Sequence, residues 1–272
     1  MRKSDKKVQP SNVNFSLVKT AEEIKLIERA CRIVAETLSL LEKYVKPGVE
    51  TIELDKIAED YILSHDALPA FKGYRVENKE YPFTLCISID DEVVHGLPGN
   101  RKLKEGEIVS LDCGVRKEGY YGDSAVTYPV GQINEEKERL LKVTQRALEL
   151  GIEAAIDGNK VYDISRAIQT FVEANGFSVN RELVGHGIGK RLHEEPPIPN
   201  FVPPLLARRQ YPNLKLLENM TLAIEPMVNA GEYKVKTKED GWTVVTADGK
   251  PSAHFEHTIV VTKDKPIVLT YR

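Results

Sequence analysis

Two stretches of this 272-residue chain, about 110 residues apart, share one pattern, and this repeat constrains the fold more than any other feature of the sequence. Each stretch predicts an amphipathic helix, a break marked by glycine and a second amphipathic helix. The first helices are predicted over about Ala21–Tyr44 and Glu135–Ile156, and the breaks fall at Pro47-Gly48 and Asp157-Gly158. Adding 110 to a position in the first stretch gives a residue of like character in the second, as in Ile33/Val143, Leu38/Leu148, Gly48/Gly158, Leu54/Ile164, Ala58/Ile168, Tyr61/Phe171 and Ile62/Val172.

Strand-like segments follow each pair of helices. They are Leu85–Ile89, Ile108–Val115 and Asp123–Val130 in the first half, and Leu222–Val228, Thr243–Thr246 and Phe255–Val261 in the second. An offset of 113 places Asp112 on Glu225, each at the end of a predicted strand. Chance could match two amphipathic helices, but an acidic residue at the same strand position in both halves argues for duplication. We therefore expect one α+β domain with a pseudo-twofold axis over residues 21–272, after a flexible N-terminal arm over residues 1–20.

Composition excludes several classes of protein. With 38 basic and 41 acidic residues the net charge is −3, which argues against a nucleic-acid partner. No apolar run approaches the ~20 residues that span a bilayer, and no apolar stretch follows the basic N-terminus as in a secretory signal. Cys31, Cys86 and Cys113 form no CxxC motif, so we expect buried thiols and a reducing, cytoplasmic compartment.

Two aspartates lie on a predicted hairpin. If Lys117 and Glu118 form its tip, facing positions sum to 235, and Asp112 then lies directly opposite Asp123. Facing side chains are roughly 4.5–5.5 Å apart at Cβ, where two like charges are unfavourable unless a cation lies between them. The alternative is a pair of solvated aspartates in a hairpin of different register.

Three further residues extend this cluster. Glu225 and Glu256 interrupt apolar, strand-like runs, where carboxylates are rare unless they are paired or bind metal. A salt bridge to a lysine of residues 234–238 is the alternative for either one. His186 lies among three glycines that allow close approach, although a lone histidine is more often structural or exposed. Four carboxylates and one imidazole would neutralise two divalent cations, and this set suits Mn²⁺, Fe²⁺, Co²⁺ or Zn²⁺.

Five segments that contain these residues occur in the order SLDCG, GYYGDSA, GHGIGKRLHEEP, TLAIEPMV and FEHTIVVT. Together they resemble the type I methionine aminopeptidases, metallopeptidases of family M24 with the pita-bread fold. The resemblance runs from about residue 20 to the C-terminus. It implies that Asp112 binds one metal ion, that Asp123 and Glu256 bridge two, and that His186 and Glu225 complete the second.

The resemblance also implies catalytic and substrate-binding roles. His95 would contact the substrate near the scissile amide, His193 would stabilise the tetrahedral intermediate, and Glu225 would carry the proton from water to the leaving amine. The side chains implied for the methionine pocket are Tyr74, Tyr81, Cys86 and Trp242. Aromatic walls and a thiol suit an unbranched thioether. Without the resemblance, Trp242 would be interpreted as a core residue and Cys86 as a buried thiol.

The implied function is removal of the N-terminal methionine from nascent polypeptides, with a small second residue preferred. A monomeric cytoplasmic enzyme is implied, with the ribosome as a candidate partner and no membrane partner. The chain departs from the family in extra residues between Gly73 and Cys86, in Leu192 where phenylalanine is frequent, and in a proline-rich stretch over residues 198–216, predicted to reshape a loop near the pocket mouth. Two alternatives are a proline-specific peptidase, which usually carries a further N-terminal domain, and a metal-free binding module, which would have lost ligands.

Overall fold

A computed structural model describes residues 17–76 and 79–271. Its four α-helices are α1 (Ala21–Glu42), α2 (Thr51–Ser64), α3 (Glu135–Glu153) and α4 (Val161–Ala174). All four confirm the predicted helices, although α1 and α3 end two and three residues before the predicted ends. Thr20 begins α1 with a reciprocal capping box, in which its hydroxyl accepts from the backbone of Glu23 and the Glu23 carboxylate accepts from the backbone of Thr20.

The duplication predicted from the repeat recurs in the backbone of the structure. Gly48 and Gly158 both end the turn after a long helix with positive φ angles, of 91° and 94°. Their amides donate to equivalent carbonyls, that of Gly48 to Leu103 (2.7 Å) and that of Gly158 to Leu216 (3.0 Å). The two halves therefore repeat one unit, in which the turn between two helices is hydrogen-bonded to the segment that leads into a later strand.

The strands of the first half surround a long hairpin. They are β1 (Leu68–Pro69), β2 (Arg75–Val76), β3 (Lys79–Glu80), β4 (Leu85–Ile89), β5 (Glu92–Val94), β6 (Ile108–Lys117) and β7 (Tyr120–Pro129). One edge of β6 pairs with β1 and β4, and its other edge pairs with β7. Every pairing is antiparallel, as expected for a fold that is not built from βαβ units.

The predicted register of the β6–β7 hairpin is wrong by two residues. Asp112 lies opposite Ala125, and Asp123 lies opposite Gly114. The turn is Glu118-Gly119, with φ angles of 50° and 85°, which match the primed turns that join two-residue hairpins. A shift of two preserves the face of a strand, so Asp112 and Asp123 still share one face but are diagonal neighbours.

The second half forms most of the remaining sheets. Its strands are β8 (Ser178–Val179), β9 (Val184–Gly187), β10 (Glu194–Pro199), β11 (Thr221–Ile224), β12 (Met227–Asn229), β13 (Val235–Thr237), β14 (Val244–Thr246), β15 (Ser252–His254), β16 (His257–Val260) and β17 (Ile267–Val268). The predicted strand Leu222–Val228 is broken at Glu225-Pro226, and the predicted strand Phe255–Val261 begins only at His257. Strand order is β10-β9-β11-β16-β17 in one sheet and β15-β12-β8 in another. Both glutamates singled out by the sequence therefore lie at breaks between strands.

A seam of hydrogen bonds joins the halves where β7 runs beside residues 254–258. The Thr258 hydroxyl donates to the Asp123 carbonyl (2.8 Å), and the Glu256 amide donates to the Ala125 carbonyl (2.9 Å). The His254 amide donates to the Thr127 hydroxyl (2.9 Å), which in turn donates to the His254 carbonyl (2.8 Å). These contacts fix residues of the second half directly against the hairpin of the first.

A continuous hydrophobic core spans both halves, with the inner faces of all four helices packed on the sheets. Residues 1–16 of the predicted flexible arm lie outside the described residues. The end of that predicted arm is in contact with the second half, since Val18 forms a β-bridge with Met220 and the amide of Lys19 donates to Asn219. Within the described ranges, no helix is long and apolar enough to cross a membrane.

Candidate metal centre and substrate pocket

One cavity of about 350 Å³ collects every side chain that the sequence predicts for the site. These eleven residues are Tyr74, Tyr81, Cys86, His95, Asp112, Asp123, His186, His193, Glu225, Trp242 and Glu256. They come from both halves and from separate strands and loops, so the fold alone brings them together. The volume falls in the range of small-molecule sites.

Acidic side chains form one wall of the cavity. Asp123, His186 and Glu256 each offer a ligand atom within 4.8 Å of the others, and all three are buried. Asp112, on β6, and Glu225, at the break after β11, line the same cavity. One oxygen each of Asp112, Asp123 and Glu256 is buried and has no hydrogen-bond partner among the residues that the structure describes. Unpartnered buried carboxylate oxygens are costly in a native protein, and a bound cation would satisfy them.

The electrostatics of this wall also fit divalent cations. Burial raises the pKa of Asp112, Asp123, Glu225 and Glu256, and repulsion from neighbouring carboxylates raises the pKa of the last three further. Among the described residues no lysine of 234–238 pairs with Glu225 or Glu256; the Lys238 ammonium instead contacts Glu92 at 2.6 Å. The predicted alternative of a lysine salt bridge is therefore wrong, and the donor set of oxygens with one imidazole suits the metals named above.

The orientation of His186 prepares one nitrogen for a metal. Its Nδ1 lies 2.9 Å from the carbonyl of Gly187, so Nδ1–H donates and the lone pair remains on Nε2. Nε2 faces the carboxylates, 3.6 Å from Glu225 and 3.9 Å from Asp123. Burial lowers the pKa of His186 to about 3, so the ring is neutral as a metal ligand requires.

Two further histidines expose their rings to the cavity. The Oη of Tyr74 lies 2.8 Å from Nδ1 of His193. Within the cavity, removal from water disfavours the charged form of each ring. It lowers the pKa of His193, and it lowers the pKa of His95 to about 4. His95 has a φ angle of 57°, which is uncommon for a residue with a side chain and is found most often at functional sites.

A second wall of the cavity is apolar and aromatic. Phe71, Tyr81, Cys86, Ile188 and Leu192 form a buried cluster of their own, with Tyr74 and Trp242 packed on it. The rings of Tyr81 and Trp242 meet edge to face at 5.2 Å, and the Tyr81 hydroxyl donates to the carbonyls of Leu85 and Gly96. Cys86 pairs with Asp112 across β4 and β6, so this apolar wall adjoins the carboxylates.

The two predicted insertions occupy different places. The extra residues after Gly73 form the β2–β3 hairpin, whose base is closed by a backbone hydrogen bond between Tyr74 and Tyr81 (2.8 Å). The stretch over residues 198–216 packs on α4, where Tyr162 donates to the Tyr211 carbonyl (2.6 Å) and Gln169 accepts from Val202 (2.8 Å). Residues 198–216 are not among the lining residues of the cavity, but the Asn200 side chain donates to the Glu225 carbonyl (3.0 Å), so this stretch adjoins the site from behind, and its predicted effect on the pocket mouth stays a prediction.

Sequence reasoning missed His254, which lies behind the acidic wall of the cavity. His254, on β15, is 2% exposed, and its Nε2 lies 3.7 Å from the Glu225 carboxylate. Its place two residues before Glu256 is the signal that the sequence offers.

The sequence profile of metallopeptidase family M24 matches residues 25–263 of this chain. The chain belongs to this family. Within it, the chain is 50% identical over 254 residues to the methionine aminopeptidase of Clostridium perfringens, covering 93% of this chain and 98% of that protein. A crystal structure of methionine aminopeptidase from Thermotoga maritima superposes with a TM-score of 0.87 at 42% identity, covering 94% of this chain and 99% of that one. The predicted pita-bread α+β fold is confirmed, and membership of a metallopeptidase family agrees with the use of divalent metal.

A prolidase from Pyrococcus furiosus shares the fold more distantly. Its TM-score is 0.75 at 22% identity, and this chain covers 66% of its length. Similarity at this level concerns the fold alone. The predicted resemblance to methionine aminopeptidases, rather than to proline-specific peptidases, therefore has the stronger support in identity and in coverage.

Proposed function

We propose that this M24 chain removes the N-terminal methionine from new polypeptides, using a pair of divalent cations. The observation that carries the proposal is the cavity itself, in which one wall offers unpartnered carboxylate oxygens and the other an aromatic pocket. The acidic wall suits cations that hold a free amine and a carbonyl. The aromatic wall suits the side chain of an unbranched thioether.

Five residues would hold the cations: Asp112, Asp123, His186, Glu225 and Glu256. Asp123 and Glu256 would be shared by both ions, as the family resemblance implies; with His186 they offer ligand atoms within 4.8 Å of one another, and each has a buried oxygen with no partner among the described residues. Co²⁺, Mn²⁺, Fe²⁺ and Zn²⁺ all accept this donor set. When bound, such a pair lowers the pKa of water and polarises the scissile carbonyl.

The protein's own side chains would move the protons. Glu225, whose Oε1 faces Nε2 of His186 in the cavity, would accept a proton from the attacking water and return it to the leaving nitrogen, as the family resemblance implies. His193, with its Nδ1 engaged by Tyr74, presents Nε2–H to the carbonyl oxygen as negative charge develops there. His95, on the same cavity, would donate near the scissile amide.

Specificity would arise at the two ends of the cavity. Tyr81, Cys86 and Trp242 enclose the methionine side chain, with Tyr74 beside His193 at the edge. Binding of the free α-amine by the cation wall restricts cleavage to one residue. A bulky second residue would collide with the rim, so substrates with alanine, glycine or serine there are preferred.

The setting of the reaction follows from the substrate. New polypeptides are made in the cytoplasm, and the three free, buried cysteines are typical of a protein that works in a reducing compartment. The ribosome is then a candidate partner, and a monomer would suffice, because one chain supplies all eleven residues of the cavity.

The direct test is hydrolysis of Met-Ala-Ser by purified protein loaded with Mn²⁺ or Co²⁺. Asp112→Ala and Glu256→Ala should each abolish turnover, whereas Glu118→Ala, at the exposed tip of the β6–β7 hairpin, should retain it. Leu-Ala-Ser and an Xaa-Pro dipeptide should be poor substrates. Normal turnover by both cavity variants, or faster cleavage of the Xaa-Pro dipeptide, would refute the assignment.

The number of cations has its own test. Isothermal titration of the chelator-treated protein with Mn²⁺ should give two sites, and Asp123→Asn should weaken both, because that carboxylate is shared. Loss of only one site in this variant would restrict Asp123 to a single ion.

A further inference from the structure

His254 is held rigidly at the junction of the two halves. Its backbone pairs with Met227 in the β12–β15 ladder and exchanges two hydrogen bonds with the Thr127 hydroxyl of β7. The side chain is 2% exposed and points toward the cavity wall that Glu225 forms. A residue fixed on both sides by backbone contacts can hold a neighbouring side chain in a defined orientation.

The Nε2 atom of His254 has no hydrogen-bond partner in the described part of the chain, although it is buried. The nearest acceptor is Oε2 of Glu225, at 3.7 Å. That separation is longer than a hydrogen bond. The last side-chain torsion of a glutamate, χ3, has a broad distribution of low-energy angles, so a small rotation of the Glu225 carboxylate can bring Oε2 within hydrogen-bond distance of Nε2 at little cost. A buried imidazole nitrogen without a partner is costly, which favours the closed arrangement.

The Glu225 side chain would otherwise lack a fixed orientation. Its other oxygen, Oε1, faces Nε2 of His186 at 3.6 Å, on the side of the proposed cations. Its backbone carbonyl is held by the Asn200 amide at 3.0 Å, but that contact leaves the carboxylate free to turn. A hydrogen-bond donor on the side of the carboxylate away from His186 would fix the positions of both Glu225 oxygens.

We propose that His254 is a positioning residue, whose Nε2–H donates to Oε2 of Glu225 and thereby directs Oε1 toward the cations and the attacking water. The inference rests on the proposed function, in which Glu225 moves the proton. The role is one of geometry, and His254 itself touches neither water nor substrate in the reaction.

Three substitutions separate this role from simple packing. The amide nitrogen of glutamine reaches the position of imidazole Nε2, that of asparagine reaches only the position of Nδ1, and methionine fills similar volume without a donor. We expect His254→Gln to keep kcat for Met-Ala-Ser within about threefold of the unmodified chain. We expect His254→Asn and His254→Met to lose roughly 10- to 100-fold in kcat, with KM changed less than about threefold, as for outer partners of metal ligands.

Calorimetric titration with Mn²⁺ gives a second readout that is independent of turnover. His254→Asn and His254→Met should bind Mn²⁺ roughly 10- to 100-fold more weakly, and His254→Gln should restore the affinity. Equal kcat and equal Mn²⁺ affinity for the Gln and Asn variants would overturn the proposal, as would a His254→Met variant that matches the unmodified chain. If the unmodified chain binds Mn²⁺ but does not cleave Met-Ala-Ser, the proposed function fails, while the titrations still decide the role of His254. If His254→Met does not fold, the comparison of Gln with Asn decides.

Discussion

We infer that the hydroxyl of Tyr74 donates to Nδ1 of His193 and so determines which nitrogen of the ring carries the proton. Burial raises the pKa of Tyr74, so the phenol stays protonated and can donate to Nδ1 at 2.8 Å. Partial removal of the His193 ring from water within the cavity lowers its pKa, which favours the neutral ring. A neutral imidazole that accepts at Nδ1 carries its proton on Nε2, which is the nitrogen that must donate to a developing oxyanion.

Tyr74→Phe should therefore lower kcat by about tenfold and leave KM nearly unchanged, because the ring stays and only the hydroxyl is lost. Tyr74→Ala should also raise KM, since the edge of the pocket is then removed. Steady-state kinetics on Met-Ala-Ser measures both. A Tyr74→Phe variant with normal kcat would show that the tautomer of His193 is set by something else.

The clustered carboxylates make the metal-free protein sensitive to pH. Burial raises the pKa of each carboxyl above its value in the unfolded chain, that of Asp112 to about 8, and repulsion raises the pKa of Asp123, Glu225 and Glu256 further. A carboxyl with a raised folded pKa binds its proton more tightly in the folded state. The stability that this provides is present below the unfolded pKa of about 4 and is lost as pH rises through the folded pKa.

In excess chelator, Tm should thus fall by roughly 5–10 °C as pH rises from about 7 to about 8, a range in which the buried histidines are largely neutral in both the folded and the unfolded chain. Saturating Mn²⁺ should remove most of this slope, because the cations neutralise the same carboxylates. Thermal unfolding followed by circular dichroism at both pH values provides the measurement. A slope that is the same with and without Mn²⁺ would contradict the explanation.

At the scale of structural elements, a buried ion pair joins the segment before α1 to the turn that carries His193. The ammonium of Lys19 lies 2.8 Å from Glu194, and the two side chains are 6% and 3% exposed. The other oxygen of Glu194 accepts from the amide of Arg191 within that turn. A buried pair of this kind is strongly destabilised when one partner is removed, because the other charge is left unpaired.

Lys19→Met should cost about 3–5 kcal/mol of unfolding free energy and lower kcat by displacing His193. Lys19→Met with Glu194→Gln should recover part of the stability, since no charge is then left without its partner. Arg29→Met, which breaks the exposed pair with Glu118, should leave stability almost unchanged. Urea unfolding of the four proteins makes the comparison, and similar losses from Lys19→Met and Arg29→Met would contradict it.

The helices and most strands could be predicted from the sequence because their signals are local. Apolar periodicity and the repeat located all four helices, and residues 85–89 form β4 as predicted. The hairpin register was missed because the tip was placed one residue early. Gly119 indicated the correct tip, because glycine readily adopts the positive φ angle that the second residue of a primed turn requires. The predicted tip was chosen instead so that Asp112 would face Asp123. The break at Glu225-Pro226 carried a local signal, because Pro226 has no backbone N–H for a sheet. The break at Phe255-Glu256 lies on the seam with β7, which no local pattern reports.

The cavity could be anticipated only in part, for a similar reason. Spacing and burial arguments singled out Asp112, Asp123, Glu225 and Glu256, whereas the pocket residues came from family resemblance. His254 carried no pattern of its own, because its importance lies in a contact with a residue 29 positions away. Contacts made through tertiary packing leave little trace in a single sequence.

For the whole molecule, the candidate site is shared between the repeated halves. The first half supplies Asp112 and Asp123 from the β6–β7 hairpin, and the second supplies His186, Glu225 and Glu256. The hydrogen bonds between β7 and residues 254–258 lie directly behind these ligands. Cations bound here would therefore hold the two halves against each other as well as support chemistry.

This arrangement predicts that Mn²⁺ stabilises both halves in one transition. Trp242, the single tryptophan, lines the cavity and reports the second half, while far-ultraviolet circular dichroism reports the helices of both. At free Mn²⁺ of 100 times Kd, the unfolding free energy should rise by about 2.7 kcal/mol for each bound ion, with the two probes shifting to the same urea midpoint and with unchanged m values. Asp123→Asn, which removes a charge of the first half, should abolish the shift in both probes. If Mn²⁺ moved the fluorescence midpoint but not the helical one, the ions would stabilise the second half alone, and the seam would not couple the halves.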